Sequence, residues 1–225
     1  MSQHSGSGGE AVEAVSEAPA EERAGPKTER GRRTLRRLLD AAAEEFGARG
    51  YHETAISNIT TRAGVGLGTF YVYFKSKEEV FRALVADMGL RTRHALSESV
   101  KDAANRLEAE RLGIKAYLDF VRTHKALYRV VMEAQFVAPE AYRDYYRTFS
   151  AAYRQQLAQA AGRGEISKGQ DDEVRVWALM GASTFLGLRY GIWEDEADVT
   201  SIAEAAADLM INGLAPRAKK NGDAS

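Results

Sequence analysis

The stretch from residue 50 to residue 77 reads GYHETAISNITTRAGVGLGTFYVYFKSK. Ile56, Ile59 and Ala63 recur at helical spacing, so they predict a short helix with one apolar face. Gly64 stands where that helix should end, because glycine enters the left-handed conformation of a helix end without strain. The pattern therefore predicts a short helix that ends in a tight glycine turn.

A second short helix is predicted over residues 66–73, with Phe70 and Phe74 pointing inward. Hydroxyls on its surface can reach DNA phosphates or base edges; they belong to Thr69, Tyr71 and Tyr73. Thr54 is expected to cap the first helix of the pair, and Ser76 is expected to cap the helix that follows. Two short helices around a glycine turn predict a helix-turn-helix that lies on DNA.

Positive charge is concentrated around this segment. The 225 residues have a net charge of −1, which is low for a DNA-binding protein until it is divided along the chain. Residues 26–77 carry +5, whereas residues 1–25 carry −4 and the remainder carries −2. The positive charge therefore lies where phosphates would lie.

A basic arm precedes the helix-turn-helix and leads into a first helix, predicted near residues 30–48. Its cations can follow phosphates or enter a minor groove; they are Lys27, Arg30, Arg32, Arg33, Arg36 and Arg37. The alternative interpretation is a charged helix start that is simply solvated. The apolar residues of this helix are expected to pack against the helix-turn-helix.

The chain after residue 76 is predicted to be helical, so the expected fold class is all-α. The helical patterns cover residues 77–103, 107–123, 125–135, 139–161, 171–193 and 197–213. We divide the chain into a disordered tail at 1–26, a three-helix DNA-binding domain at 27–80, a helical C-terminal domain at 81–215 and a polar tail at 216–225.

An aromatic stripe follows one face of the helix predicted over residues 139–161. Such a row is as typical of a filled core as of a cavity, but buried phenols need polar partners. An apolar chamber with a few polar groups is typical of a small-molecule site. The residues expected to line this site are Tyr117, Phe120, Tyr128, Met132, Phe136, Tyr146, Phe149, Tyr153 and Trp177.

A stripe of small residues in the last two predicted helices indicates close helix contact, within one subunit or between two. Glycine inside a helix costs up to about 1 kcal/mol, which suggests that a close approach is needed there. We interpret the stripe as a two-fold homodimer interface. Its expected residues are Gly181, Thr184, Gly187, Ala206 and Met210.

Residues 30–80 closely resemble the DNA-binding domain of the TetR family of bacterial transcriptional regulators (TetR/AcrR-like). The resemblance implies an all-α homodimer whose C-terminal domain binds a ligand and dimerises, and most such regulators are repressors. By position it implies DNA contacts from Thr54, Thr69, Tyr71, Tyr73 and Lys77. The basic arm and the start of the recognition helix add Arg32, Arg33, Leu67 and Gly68 to the expected contacts.

The sequence lacks the motifs of other function classes. It has no cysteine and no ligand spacing among its four histidines, so we expect no metal and no cofactor. We find no nucleophile elbow, phosphate-binding glycine loop or cofactor fingerprint, and therefore expect no enzymatic activity. Without a membrane-spanning apolar stretch or a signal peptide, the chain is expected to be cytoplasmic.

The expected function is sequence-specific regulation of transcription from a near-palindromic operator in double-stranded DNA. We expect a homodimeric repressor that a small apolar or aromatic effector releases from DNA. Two alternatives stay open, namely an activator and an architectural DNA-binding protein without a ligand response. An architectural protein would have a filled C-terminal core, so a cavity distinguishes the two classes.

Overall fold

The computed structural model describes residues 25–213, which form helices joined by short connections. The helices are α1 (Glu29–Glu53), α2 (Ile56–Ala63), α3 (Leu67–Tyr73), α4 (Lys77–Val100), α5 (Arg106–Thr123), α6 (Lys125–Val137), α7 (Pro139–Gly162), α8 (Asp172–Leu186) and α9 (Val199–Asn212). A π-helical segment, Gly187–Trp193, continues α8. The all-α prediction is confirmed, since no strand occurs between residues 25 and 213.

The predicted tails at 1–26 and 216–225 lie outside the described residues, apart from residues 25 and 26. Within the described range, no helix combines the length and the hydropathy that a membrane span requires. Local sequence sets several helix starts through side-chain caps. The Oγ of Ser76 accepts a hydrogen bond from Glu79 N at 3.1 Å, as predicted, and Asn105, Asp171 and Asp198 cap α5, α8 and α9 in the same way.

The first helix extends one turn beyond its predicted end at residue 48. Gly50 has φ 78° and ψ 169°, so α1 bends there and then continues to Glu53. This bend brings the backbone of α1 against α6, where Tyr51 N donates to a Glu133 carboxylate oxygen at 2.8 Å. Only glycine adopts this backbone conformation readily, which explains the kink at this residue.

One hydrophobic core joins the N-terminal helices to the rest of the chain. Its largest fully buried side chains include Phe46, Phe70 and Phe81, and it continues into α6 and α7. Helix α4 crosses the predicted domain boundary at residue 80 without a break. The DNA-binding helices therefore pack directly on the C-terminal region, and the division at residue 80 stays a prediction.

A second, smaller core lies between α5 and α9. Its buried residues are Ile114, Leu118, Val199, Ala203 and Ala207. Helix α9 thus packs its small residues against its own subunit. The remaining space between α4, α5, α7 and α8 is the part of the fold that bears on ligand binding.

Candidate DNA-binding surface and ligand cavity

The turn between α2 and α3 has the geometry that the glycine pattern predicts. Gly64 adopts φ 62° and ψ 41°, and its N–H donates to Thr61 O at 3.1 Å. The prediction that Thr54 caps α2 is wrong, because Ala55 occupies the cap position. There the Ala55 N–H donates to the side chain of Asn58 at 3.0 Å.

Helix α3 buries Phe70 and turns its opposite side to solvent. We call the exposed residues Leu67, Gly68, Tyr71 and Val72 the recognition face. Leu67 is 52% exposed, Tyr71 is 49% exposed and Val72 is 69% exposed, so this face is largely apolar with one phenol. Thr69 is half-buried at its edge.

Two predicted DNA contacts have internal partners. Thr54 is buried, and its hydroxyl donates to Gly50 O at 2.7 Å. The hydroxyl of Tyr73 donates to Gly31 O at 3.2 Å and so ties α3 to the start of α1. Burial removes Thr54 from the DNA-facing set, whereas Tyr73 positions the basic arm beside α3.

Lys77 also has internal partners, while a neighbouring lysine does not. The Lys77 ammonium donates to Tyr51 O at 2.8 Å and to His52 O at 3.2 Å, so it caps the end of α1. Lys75 is exposed, and its ammonium has no partner among residues 25–213. The sequence reasoning missed Lys75, although its position just after α3 was a usable signal.

The basic arm divides into two groups. Arg32 and Arg33 stay exposed, paired with Glu29 at 3.0 Å and 3.8 Å. By contrast, Arg36 forms a bidentate ion pair with Asp87 of α4 at 2.7 Å, and Arg37 donates to the carbonyls that end α2. The first pair can face DNA, whereas the second pair holds the domain together.

A cavity of about 330 Å³ lies between α4, α5, α7 and α8, within the usual range for small-molecule sites. Its lining is mostly apolar or aromatic. The lining residues are Arg93, Leu96, Ser97, Val100, Arg106, Ala109, Glu110, Gly113, Ile114, Tyr117, Tyr145, Tyr146, Phe149, Ala152, Tyr153, Gln156, Met180, Ser183 and Thr184. This cavity disfavours the architectural alternative, which requires a filled core.

The structure brings four of the nine predicted ligand residues to this cavity: Tyr117, Tyr146, Phe149 and Tyr153. The other five lie elsewhere. Phe120 and Tyr128 are buried in the core, and Met132 packs against it. Phe136 is 81% exposed, and Trp177 packs on the outer side of Tyr146 with ring centroids 6.1 Å apart. The sequence did not predict where these five side chains lie, because helical spacing shows which residues share a face but not which neighbouring helix that face contacts.

One end of the cavity carries a polar cluster that the sequence reasoning missed. Arg106 pairs with Glu110 at 2.7 Å and donates to Gln156 at 2.9 Å, while the hydroxyl of Tyr153 donates to Glu110. Burial and the adjacent Glu110 carboxylate raise the pKa of Tyr153 well above its usual value. The i, i+4 spacing of Arg106 and Glu110 was the available signal.

The tyrosines of the cavity stay protonated at neutral pH. Burial raises the pKa of Tyr145 to about 12 and raises that of Tyr146 further. Neutral phenols can donate hydrogen bonds to a ligand without adding charge to the lining. Among residues 25–213, no three His, Asp or Glu side chains lie close enough to hold a metal ion.

The predicted dimer residues point in different directions. Thr184 lines the cavity, and Gly187 is buried, with an added Cβ falling 2.8 Å from the Tyr117 ring. Ala206 and Met210 are partly buried against the core between α5 and α9, and a dimer contact of these four residues stays a prediction. Gly181 faces open space, with no atom within 4 Å of an added Cβ.

Residues 38–84 match a family model described as bacterial regulatory proteins, tetR family. The matched segment runs from α1 through α2 and α3 into α4. YdgC of Bacillus subtilis, an uncharacterized HTH-type transcriptional regulator, is 44% identical over 71 residues. That match covers 32% of this chain and 36% of YdgC, so it spans about a third of the relative.

Longer matches have lower identity. The fatty acid metabolism regulator protein of Bacillus subtilis is 23% identical over 181 residues, covering 79% of this chain and 93% of that protein. The structure of FadR from Bacillus subtilis in complex with stearoyl-CoA has a TM-score of 0.71 at 23% identity, covering 80% of this chain and 99% of that one. At this identity the structural likeness shows the fold.

Proposed function

We propose that this chain, whose residues 38–84 match the tetR family model and whose fold is that of FadR, is a repressor that a small apolar ligand releases from its operator. The observation that carries the proposal is an exposed recognition face on the same molecule as a cavity of about 330 Å³. Helix α4 contributes to the core under α3 and also to the lining of the cavity. The protein would act in the cytoplasm, where bacterial DNA lies.

The proposed DNA contacts come from one continuous surface. The recognition face enters the major groove, Tyr71 supplies a hydroxyl, and Leu67 or Val72 can touch a thymine methyl. Lys75 lies two residues beyond the end of α3, and the hydrogen bond from Tyr73 to Gly31 holds the basic arm beside this helix. The cations on both sides of the recognition face can therefore bind the phosphates that flank a major groove.

Salt dependence of DNA binding tests this surface. A duplex selected from a random pool serves as the operator, and its affinity is measured at several salt concentrations by fluorescence anisotropy. Lys75→Gln should lower the salt slope by about one and weaken binding similarly across sequences, because one phosphate contact is lost. Lys168→Gln removes a lysine from the connection before α8 and should leave the slope unchanged.

Tyr71→Phe should weaken binding to the selected duplex through the lost hydroxyl, without changing the salt slope. A wild-type affinity that does not respond to salt would contradict DNA binding by this surface, because phosphate neutralisation would then contribute nothing. Equal slopes for the wild type and Lys75→Gln would remove Lys75 from the interface.

We propose a two-fold dimer through the exposed apolar face of α8. This face contains Val174, Ala178, Gly181, Ala182 and Phe185, at positions that recur along one side of the helix. Val174 is 64% exposed and Phe185 is 73% exposed in the monomer, which is a large apolar area to leave in water. Two recognition faces then read half-sites about 34–36 Å apart.

Ligand binding is proposed to act through α4. The residues of α4 from Arg93 to Val100 form one wall of the cavity, and its first residue, Lys77, binds the end of α1. A ligand that moves this wall would tilt α4 and change the spacing of the two recognition faces. The ligand can shift this equilibrium only by its differential affinity, typically about 1–3 kcal/mol.

An alkyl chain is the ligand body that the comparisons support best, because the FadR neighbour was solved with stearoyl-CoA. Reciprocity tests the repressor mechanism with any compound that binds. DNA must weaken ligand binding by the same factor by which the ligand weakens DNA binding. A compound that binds the protein equally well with and without operator DNA would not be an inducer. A second experiment deletes the gene of this protein and measures a reporter under its operator, and lower expression on deletion would favour the activator alternative.

A further inference from the structure

The charges that line the cavity do not balance. Its charged residues are Arg93, Arg106 and Glu110. Arg106 and Glu110 neutralise each other at 2.7 Å, and both side chains are nearly buried. The guanidinium of Arg93 has no ion pair or hydrogen bond among residues 25–213, and it lies over the Phe149 ring, 5.5 Å from the ring centroid. The lining therefore carries one unpaired positive charge.

Nearby carboxylates cannot supply that partner because they are committed elsewhere. Asp87, further toward the start of α4, holds Arg36 in a bidentate pair. Asp144 on α7 pairs with Arg147 at 3.4 Å on the exposed side of that helix. Glu98, the nearest acidic residue to Arg93 along α4, pairs with Lys101 at 3.0 Å. No carboxylate among residues 25–213 therefore pairs with Arg93, and an anionic ligand could supply that partner.

Arg93 and the Arg106 cluster lie at different places on the cavity wall, since Arg93 lies over the Phe149 ring and Arg106 lies over the Tyr153 ring, about one helix turn further along α7. Arg93 and Val100 are seven residues apart on α4, which corresponds to about 10 Å along the helix. Most of the remaining wall is formed by aromatic and aliphatic side chains, with Tyr117, Tyr146 and Phe149 among them. The cavity thus offers a largely apolar space beside a guanidinium that has no ionic partner among residues 25–213.

We propose that the effector carries an anionic group that pairs with Arg93, and that its apolar body lies among Tyr117, Tyr146 and Phe149. This inference rests on the proposed function, in which this cavity holds the effector. The chemical class is an amphiphilic acid, with an alkyl or aromatic body and a carboxylate or phosphate group. A neutral ligand with the same apolar body would displace water from the Arg93 guanidinium without giving it a new hydrogen-bond partner. Removing a charged group from water in this way costs free energy.

Matched probes with the same alkyl chain test the inference. Decanoate and decan-1-ol are titrated into the full-length protein at neutral pH by isothermal calorimetry. The wild type should bind decanoate about tenfold more tightly, the low end expected for a charge-assisted hydrogen bond. Arg93→Gln should remove that preference by weakening decanoate binding without weakening decan-1-ol binding, and Arg93→Lys should retain part of the preference.

Arg147→Gln is the matched control, since it removes an arginine from the exposed side of α7, and it should keep the preference for decanoate. Thermal unfolding of each variant checks that it is folded. Decanoyl-CoA, which carries phosphates but no free carboxylate, distinguishes the two anionic groups. If Arg93→Gln binds decanoyl-CoA more weakly than the wild type does, a phosphate pairs with Arg93. If the two proteins bind decanoyl-CoA equally, the group that pairs with Arg93 is a carboxylate.

Equal affinities of the wild type for decanoate and decan-1-ol would overturn the inference but leave an apolar ligand site intact. A preference for decanoate that survives in Arg93→Gln would also overturn it. If the protein bound none of the three alkyl probes, the proposed ligand function would itself fail. The two failures are therefore distinguishable.

Discussion

Helices α1 and α6 approach each other closely at Gly47, and one added methyl group should disturb this contact. Gly47 lies on the buried face of α1, and a Cβ added there would fall 2.7 Å from the Ala126 Cα and closer still to its Cβ. Because the obstructing atoms belong to backbone and to a side chain without rotamers, they cannot move aside alone. Gly47→Ala must therefore push α1 and α6 apart.

The magnitude is the difference between two opposing terms. Replacing glycine by alanine inside a helix gains up to about 1 kcal/mol in helix propensity. Overpacking a filled core costs about 1–3 kcal/mol. We expect Gly47→Ala to be destabilised by up to about 2 kcal/mol, which lowers the melting temperature of a chain of this size by at most roughly 4–8 °C.

Gly113→Ala provides the matched control. It also lies inside a helix, but its added Cβ would meet nothing closer than Val100 Cγ1 at 3.8 Å, an ordinary contact. Only the propensity gain of up to about 1 kcal/mol then applies. Circular dichroism follows unfolding of both variants at one protein concentration, because dimerisation makes the melting temperature concentration-dependent. A Gly47→Ala protein as stable as Gly113→Ala would refute the close approach of α1 and α6.

Two further predictions concern the dimer and the buried phenols. Phe185→Arg should shift the protein to monomer in sedimentation velocity, because a charge replaces an exposed apolar ring on the α8 face. The control Leu90→Arg, at an exposed site on α4, should remain dimeric. A Phe185→Arg protein that is still dimeric would exclude this interface. The free energy of unfolding, measured in urea, should fall more steeply between pH 10 and pH 12 in the wild type than in Tyr145→Phe. The difference in slope should be about 1.4 kcal/mol per pH unit. The reason is that the phenol of the unfolded chain ionises near pH 10, whereas burial raises the pKa of Tyr145 to about 12 in the folded protein. Parallel pH profiles would show that Tyr145 is not desolvated in the folded state.

Local signals in the sequence determined the helices and the turn at the DNA-binding surface. The glycine at position 64 adopts the left-handed conformation that its place in the pattern requires, and the Ser76 cap begins α4 where expected. These features depend on residues within one or two turns of each other, so spacing and side-chain chemistry were sufficient. The aromatic stripe on α7 likewise placed Tyr146, Phe149 and Tyr153 on one face.

Only the tertiary structure decided what each face meets. Gly187 packs against Tyr117 of α5, and Tyr73 bonds to the start of α1, 42 residues away. The polar cluster of Arg106, Glu110 and Tyr153 and the unpaired Arg93 come together from three helices. Helical periodicity fixes which residues share a face but carries no information on the helix that this face contacts, because that partner is selected by the packing of the whole chain.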